Sequence, residues 1–209
     1  MSGNPVPSQF EAPNVMMRMR SGRWVNLYDP SPLDVDLEDW IYGTSRTPRF
    51  GGQCKGEVSY NVLQHHPLVD DILVKFLWPK APRVARLYAM SHDLHEGGGL
   101  GDIVTPYGHL FDTAGLREVK HRLDRVILPL VGIAFPLDPA VVAAVKRADT
   151  IAAVSEAVQL MDWPEDIARK RVGKGYRGRL WDKPIEVLDE IQARAAWRER
   201  FADIQKMAA

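Results

Sequence analysis

Cysteine is nearly missing from this chain of 209 residues, where Cys54 stands alone. That excludes an intrachain disulfide framework and makes a reducing compartment the expectation. Net charge is missing too, because 27 Lys and Arg balance 27 Asp and Glu. That argues against a broad basic face for nucleic acid, although it does not exclude a local basic pocket for one phosphate. Long apolar runs are also absent. The longest, about 126–137, is interrupted by Pro129 and Pro136 and is too short to span a bilayer. The first twenty residues carry Pro5, Pro7 and Pro13 together with charges, and no apolar signal core. The expectation is a cytoplasmic protein with no nucleic-acid or membrane partner.

What is present is the ordinary balance of a globular chain, 45% hydrophobic and 26% charged, enough for one substantial core. Residues 1–15 read as a flexible tail rich in Pro, Ser, Asn and Gly. Residues 16–20 and 23–28 read as two short strands around a Ser21-Gly22 turn. Ser31 to Thr44 reads as a helix, with Ser31 as its cap and Pro32 in its first turn. A basic, glycine-containing loop follows over 45–57. Helices are then expected from Ser59 to near Trp78, from Arg83 to about Glu96, from Thr113 to about Leu130, from Asp138-Pro139 to about Asp162, and from Pro184 to about Met207. Lys170 to Arg179 reads as a basic loop, ordinarily a solvated face, and the flanking Trp163 and Trp181 read as packing residues. No internal repeat or linker is visible, so residues 16–209 are expected to form one all-α domain with a small N-terminal hairpin.

The chemistry concentrates in Ser91-His92-Asp93-Leu-His95-Glu96-Gly-Gly-Gly-Leu-Gly101-Asp102. A His-Asp pair closes an apolar helix, and a buried carboxylate needs a partner. A divalent metal supplies one, since imidazole nitrogen and carboxylate oxygen together suit first-row ions. His65 lies on the apolar face of the preceding helix, and Asp149 lies near the apolar side of Val145, Ala148, Ala152 and Ala153. Three helices would then present ligands inward, as helical bundles build metal sites. The bland alternatives are a helix-end pair for His92-Asp93, a core histidine for His65, and a surface aspartate paired with Lys146 or Arg147 for Asp149. His95, His109 and His121 read as surface histidines.

The pattern His65…His92-Asp93…Asp149 in this helical frame resembles the HD superfamily of metal-dependent phosphohydrolases. The likeness extends to Asp34-Val-Asp-Leu-Glu-Asp, Arg46-Thr-Pro-Arg49-Phe-Gly-Gly, Ser59-Tyr-Asn-Val-Leu-Gln-His65 and Gly101-Asp102-Ile. It is to the branch related to 5′-deoxynucleotidases and small deoxynucleotide phosphohydrolases, and it covers roughly residues 22–205. The resemblance implies His65, His92, Asp93 and Asp149 as ligands of one divalent ion (Mn, Co, Fe, Ni, Mg or Zn). It implies that Glu96 positions or activates water and that Asp102 is a carboxylate near the scissile phosphate and sugar. Arg49, or Arg46, would be the phosphate-binding arginine. Two features depart from the pattern. The interval from Asp93 to Asp102 is one residue longer, through the triple glycine, and His66 and His95 stand at positions outside the family's pattern.

The function so implied is hydrolysis of a nucleotide phosphate ester, with a deoxynucleoside 5′-monophosphate as the first expectation. A deoxynucleoside triphosphate triphosphohydrolase is the alternative, toward which the basic loop leans. A non-catalytic metal or nucleotide sensor is the competing class, and a purely structural helical oligomer a third. The long helices offer apolar faces that could pair two subunits as a homodimer or be buried within one chain.

Overall fold

A computed structural model describes residues 15–104, 110 and 114–208. The fold is all-α with a small antiparallel hairpin at its N-terminal end. Strands β1 (Met16–Arg18) and β2 (Trp24–Asn26) pair Met17 with Val25 around a turn in which Gly22 adopts φ +89°. Val25 is fully buried, so the hairpin is pinned to the core by its inward face. Its turn is tied to the next helix, where Asp39 accepts from the Ser21 amide at 2.8 Å and the Ser21 hydroxyl at 2.6 Å.

Helix α1 (Leu37–Thr44) starts six residues later than the sequence suggests. Asp36, not Ser31, is the cap, accepting from the Glu38 amide at 3.0 Å. Ser31 instead caps a local turn by accepting from the Leu33 amide. A proline-flanked serine signal and an aspartate signal compete here, and the one adjoining Trp40 and Ile41 wins because those side chains are buried. After a one-turn helical segment at Arg49–Gly52, α2 (Val62–Ile72) begins at the Asn61 cap. A wider turn carries it to Leu77. Helix α3 (Arg83–Ala89) ends before the His-Asp pair, which sits in the tight turns that follow it.

Helix α4 (Ala114–Ile127) continues as a tighter turn to Val131. Helix α5 (Pro139–Leu160) is the long central element, capped by Asp138 through the Ala140 amide at 2.7 Å. It lies against α2 and α3, with Val145, Ala148, Ile151 and Ala152 in the seam. Helix α6 (Glu165–Arg171) takes the first part of the expected basic loop. Arg169 then holds the rest by donating to the Tyr176 and Gly178 carbonyls, both at 3.0 Å. Helix α7 (Glu190–Gln205) opens with a capping box between Asp189 and Gln192. It closes over α2 and α3, with Trp197 stacked on Phe201 and donating to the Met90 carbonyl at 2.8 Å.

A buried ion network ties these helices together. Asp70 on α2 accepts two bonds from Arg86 on α3, at 2.8 and 2.7 Å, and one from Arg200 on α7 at 2.9 Å. No described helix is long and apolar enough to cross a membrane. The expected N-terminal tail lies outside the described residues except at Val15.

Candidate metal centre

The centre forms where α2, the turn after α3, and α5 meet. His65, His92, Asp93 and Asp149 each offer one ligand atom, and these atoms all lie within 4.8 Å of one another. The helical period does the placing. On α5, Asp149 follows Val145 by one turn and precedes Ala152 by three residues, so it shares their buried side. On α2, His65 and His66 are adjacent and therefore point about 100° apart. His65 enters the cluster and His66 does not.

Each histidine is oriented through its other nitrogen. His65 Nδ1 meets Glu156 Oε1 at 2.6 Å, which leaves Nε2 toward Asp149 Oδ1 at 3.1 Å. His92 Nδ1 meets the Ala89 carbonyl at 3.0 Å, as a donor N–H would. Its Nε2 then carries a lone pair, and it is buried with no hydrogen-bond partner among the described residues. That atom lies 3.3 Å from Asp93 Oδ2 and 4.0 Å from Asp149 Oδ1. Ligands about 2.1 Å from a common six-coordinate ion would be separated by about 3.0 Å when adjacent and about 4.2 Å when opposite. The spacings, the orphaned nitrogen and the mixed nitrogen and oxygen donor set fit a divalent ion, and the cluster could hold one.

The surrounding charges are arranged for the same purpose. Burial disfavours the carboxylate of Asp93, yet neighbouring His92, His95 and Lys120 hold its pKa well below the usual range. Asp149 is likewise held low against burial, by its bond to His65 and by Lys146, whose Nζ donates to Oδ2 at 2.6 Å. Both therefore stay ionised. Burial and Arg49 oppose a charge on His65, but Glu156 and Asp149 outweigh them and raise its pKa to about 9. Without a metal, a proton takes the place of the cation between two carboxylates. Burial, then the neighbouring His92, lowers His66, which stands neutral with both ring nitrogens unpaired among the described residues.

Glu96 lies beside this cluster in the tight turn Leu94–Gly98. Burial and the charge of Asp93 raise its pKa to about 7, against the pull of Lys120, which donates to Oε1 at 2.9 Å. A carboxyl titrating there can hold or release a proton near neutrality. Arg49 is buried, and its Nε donates to Glu156 Oε2 at 2.9 Å. Glu156 thus bridges Arg49 and His65. Asp102 lines the same cleft as Arg49.

That cleft has a volume of about 450 Å³, within the usual range of small-molecule sites. Phe50, Trp163 and Arg171 stand in its wall with Arg49 and Asp102. Phe50 holds a left-handed backbone at φ 53°, a conformation that costs about 1–2 kcal/mol for a residue with a side chain. Gly51 and Gly52 beside it, at φ 63° and 76°, allow the turn.

No family model matches the chain. An uncharacterized protein of Rhodobacter capsulatus is 34% identical to it over 183 residues, which cover 88% of this chain and 92% of that protein. The chain belongs to that protein's family. The similarity runs along nearly the whole length of both proteins.

Against the sequence expectations, the four candidate ligands come together, with Glu96 at their side and Arg49 and Asp102 in the adjoining cleft. Arg46 goes elsewhere. Its Nε donates to Glu190 Oε2 at 2.7 Å on the exposed surface, and its guanidinium lies over the Tyr42 ring. His95 is a correction, being buried rather than on the surface. His109 lies outside the described residues. Glu156, Lys120, Trp163 and Arg171 were not assigned to the site from sequence. Glu156 could have been found, since it follows Asp149 by two helical turns on the same face. Lys120 and the cleft residues depend on how distant segments pack.

Proposed function

We propose that the protein is a divalent-metal-dependent phosphohydrolase of the HD type, acting on the phosphate ester of a nucleotide, with deoxynucleoside 5′-monophosphates as its substrate class. The observation that carries this reading is the four-ligand cluster joined through Glu156 to a buried arginine that lines an aromatic-walled cleft. His65, His92, Asp93 and Asp149 would hold the ion. When bound, it supplies charge neutralisation at phosphate oxygens and a water acidified toward hydroxide.

The chain's own groups do the rest. Arg49 stays cationic because Glu156, Asp102, Asp149 and Asp93 outweigh its burial. Its terminal nitrogens have no hydrogen bond among the described residues, so they are free to take phosphate oxygens in the paired manner guanidinium favours. Glu96 accepts the proton of the attacking water and returns it to the leaving oxygen. Phe50 and Trp163 offer flat apolar faces to the sugar and base. Asp102 accepts from a sugar hydroxyl.

Arg171 favours a second reading. It adds another cation to the cleft wall, which suits a longer phosphate chain and a triphosphohydrolase. A panel of nucleoside mono- and triphosphates, offered to metal-stripped protein reloaded with Mn²⁺ and resolved by chromatography, separates these readings. Orthophosphate from monophosphates supports the first, and release of intact triphosphate the second. Turnover of neither, with the metal bound, leaves a sensor.

A further inference from the structure

Beyond the four-ligand cluster, a second set of donors stands within reach of the same aspartate. Asp93, His95 and Glu96 each place one ligand atom within 4.8 Å of the others. His95 Nδ1 is engaged by Asp124 Oδ1 at 2.8 Å, which fixes the ring and turns Nε2 inward. That Nε2 is buried without a hydrogen-bond partner among the described residues, and so is Glu96 Oε2. Both residues are only 4% exposed, too deep for bulk water to satisfy those atoms. Glu96 keeps Oε2 free because Lys120 occupies Oε1.

The Asp93 carboxylate divides between the two sets. Its Oδ2 faces His92 Nε2 at 3.3 Å, and its Oδ1 faces His95 Nε2 at 4.0 Å. A carboxylate with one oxygen in each of two donor clusters is the geometry of a bridging ligand. We propose that the centre is dinuclear: a second divalent transition-metal ion is held by Asp93, His95 and Glu96, with Asp93 bridging it to the ion of the first site.

Charge decides what a second ion would do there. Among the described residues joined to the ligands by ion pairs, the carboxylates are Asp93, Glu96, Asp124, Asp149 and Glu156, and the opposing cations are Arg49, Lys120 and Lys146. One divalent ion brings this group to neutrality with the imidazoles uncharged. A second makes it cationic, which attracts a phosphate dianion. The Lys120 ammonium disfavours a nearby cation, but its bond to Glu96 Oε1 keeps it on the far oxygen. Two ions would hold both the attacking and leaving oxygens of an in-line displacement. Glu96 would then be a ligand, and the second ion would take over the activation of water that a mononuclear centre leaves to Glu96.

This inference rests on the metal reading of the first site, and the test keeps the two apart. Full-length protein is stripped, saturated with Mn²⁺ and desalted. Its manganese content is measured, and its low-temperature electron paramagnetic resonance spectrum recorded. The expected result is two ions per chain with an exchange-coupled spectrum. His95→Ala and Glu96→Gln should each retain one ion with the six-line signal of isolated Mn²⁺, and circular dichroism confirms that they are folded. Should His95→Ala fail to fold, Glu96→Gln and His95→Asn carry the comparison. One ion in the wild type that Asp149→Ala removes and His95→Ala does not would overturn the second site and leave the proposed function standing. Two ions retained in both His95→Ala and Glu96→Gln would also overturn it. No bound ion in the wild type would overturn both.

Discussion

An imidazole that meets Glu156 at 2.6 Å through one nitrogen and Asp149 at 3.1 Å through the other is held as a cation in the metal-free chain. With its pKa raised to about 9, His65 stabilises the metal-free fold fully below about pH 6.5, its ordinary value, and loses that contribution as pH rises through 9. The stability gap between metal-free wild type and His65→Gln should therefore shrink between pH 7 and 10. Urea unfolding at several pH values measures it, and a gap that widens with pH would contradict the assignment. Metal entry must displace that proton, so binding should release acid in weakly buffered solution. Glu156 acts through His65, and Glu156→Gln should weaken metal binding about 10–100-fold in a chelator competition without unfolding the protein. His92, Asp93 and Asp149 were legible in the sequence because the His-Asp pair and the helical period point at them. Glu156 shares the helical face of Asp149, two turns on, but its role shows only when its partner, Arg49, is placed in space.

The elements are held at the site by close approach. A Cβ on Gly98 would fall 2.1 Å from Trp40 Cζ3, and one on Gly97 would fall 2.5 Å from the Thr44 amide nitrogen and the Trp40 carbonyl oxygen. The glycine run after Glu96 thus lets this turn lie directly on α1, and Thr44 donates to the Leu94 carbonyl at 3.2 Å. Gly98→Ala should cost about 1–3 kcal/mol in urea unfolding and reduce any turnover further by moving Glu96. Unchanged stability would mean that the turn does not bear on α1. The Asp70 network is a separate clasp. Asp70→Ala should cost about 1–3 kcal/mol, since it leaves Arg86 without its carboxylate while Arg200 keeps Asp71, yet leave metal content unchanged because Asp70 contributes nothing to the ligand set. In sequence the triple glycine reads as the stop of a helix reaching Glu96, but α3 already ends at Ala89, and the packing role of the glycines depends on α1, about fifty residues away. The start of α1 was misplaced for a related reason. Ser31-Pro32 and Asp36 are comparable local signals, and burial of Trp40 and Ile41 chooses between them.

The molecule as a whole uses a charge-balanced chain to build a strongly charged interior. Its formal net charge is zero, but buried carboxylates, histidines and an arginine converge where α2, α5 and the turn after α3 meet. Such an interior is costly unless a cation completes it. Saturating Mn²⁺ should therefore raise the midpoint of thermal unfolding in the wild type and not in Asp149→Ala, as scanning calorimetry can record. The most direct test couples that occupancy to chemistry. Metal-stripped protein is titrated with Mn²⁺ while orthophosphate release from a deoxynucleoside 5′-monophosphate is followed, with folded Asp93→Ala beside it. A metal-dependent phosphohydrolase gives no release when stripped, release that rises with bound metal until the centre is filled, and none as Asp93→Ala. A filled centre that releases phosphate from no nucleotide, or release that persists without metal, would contradict it.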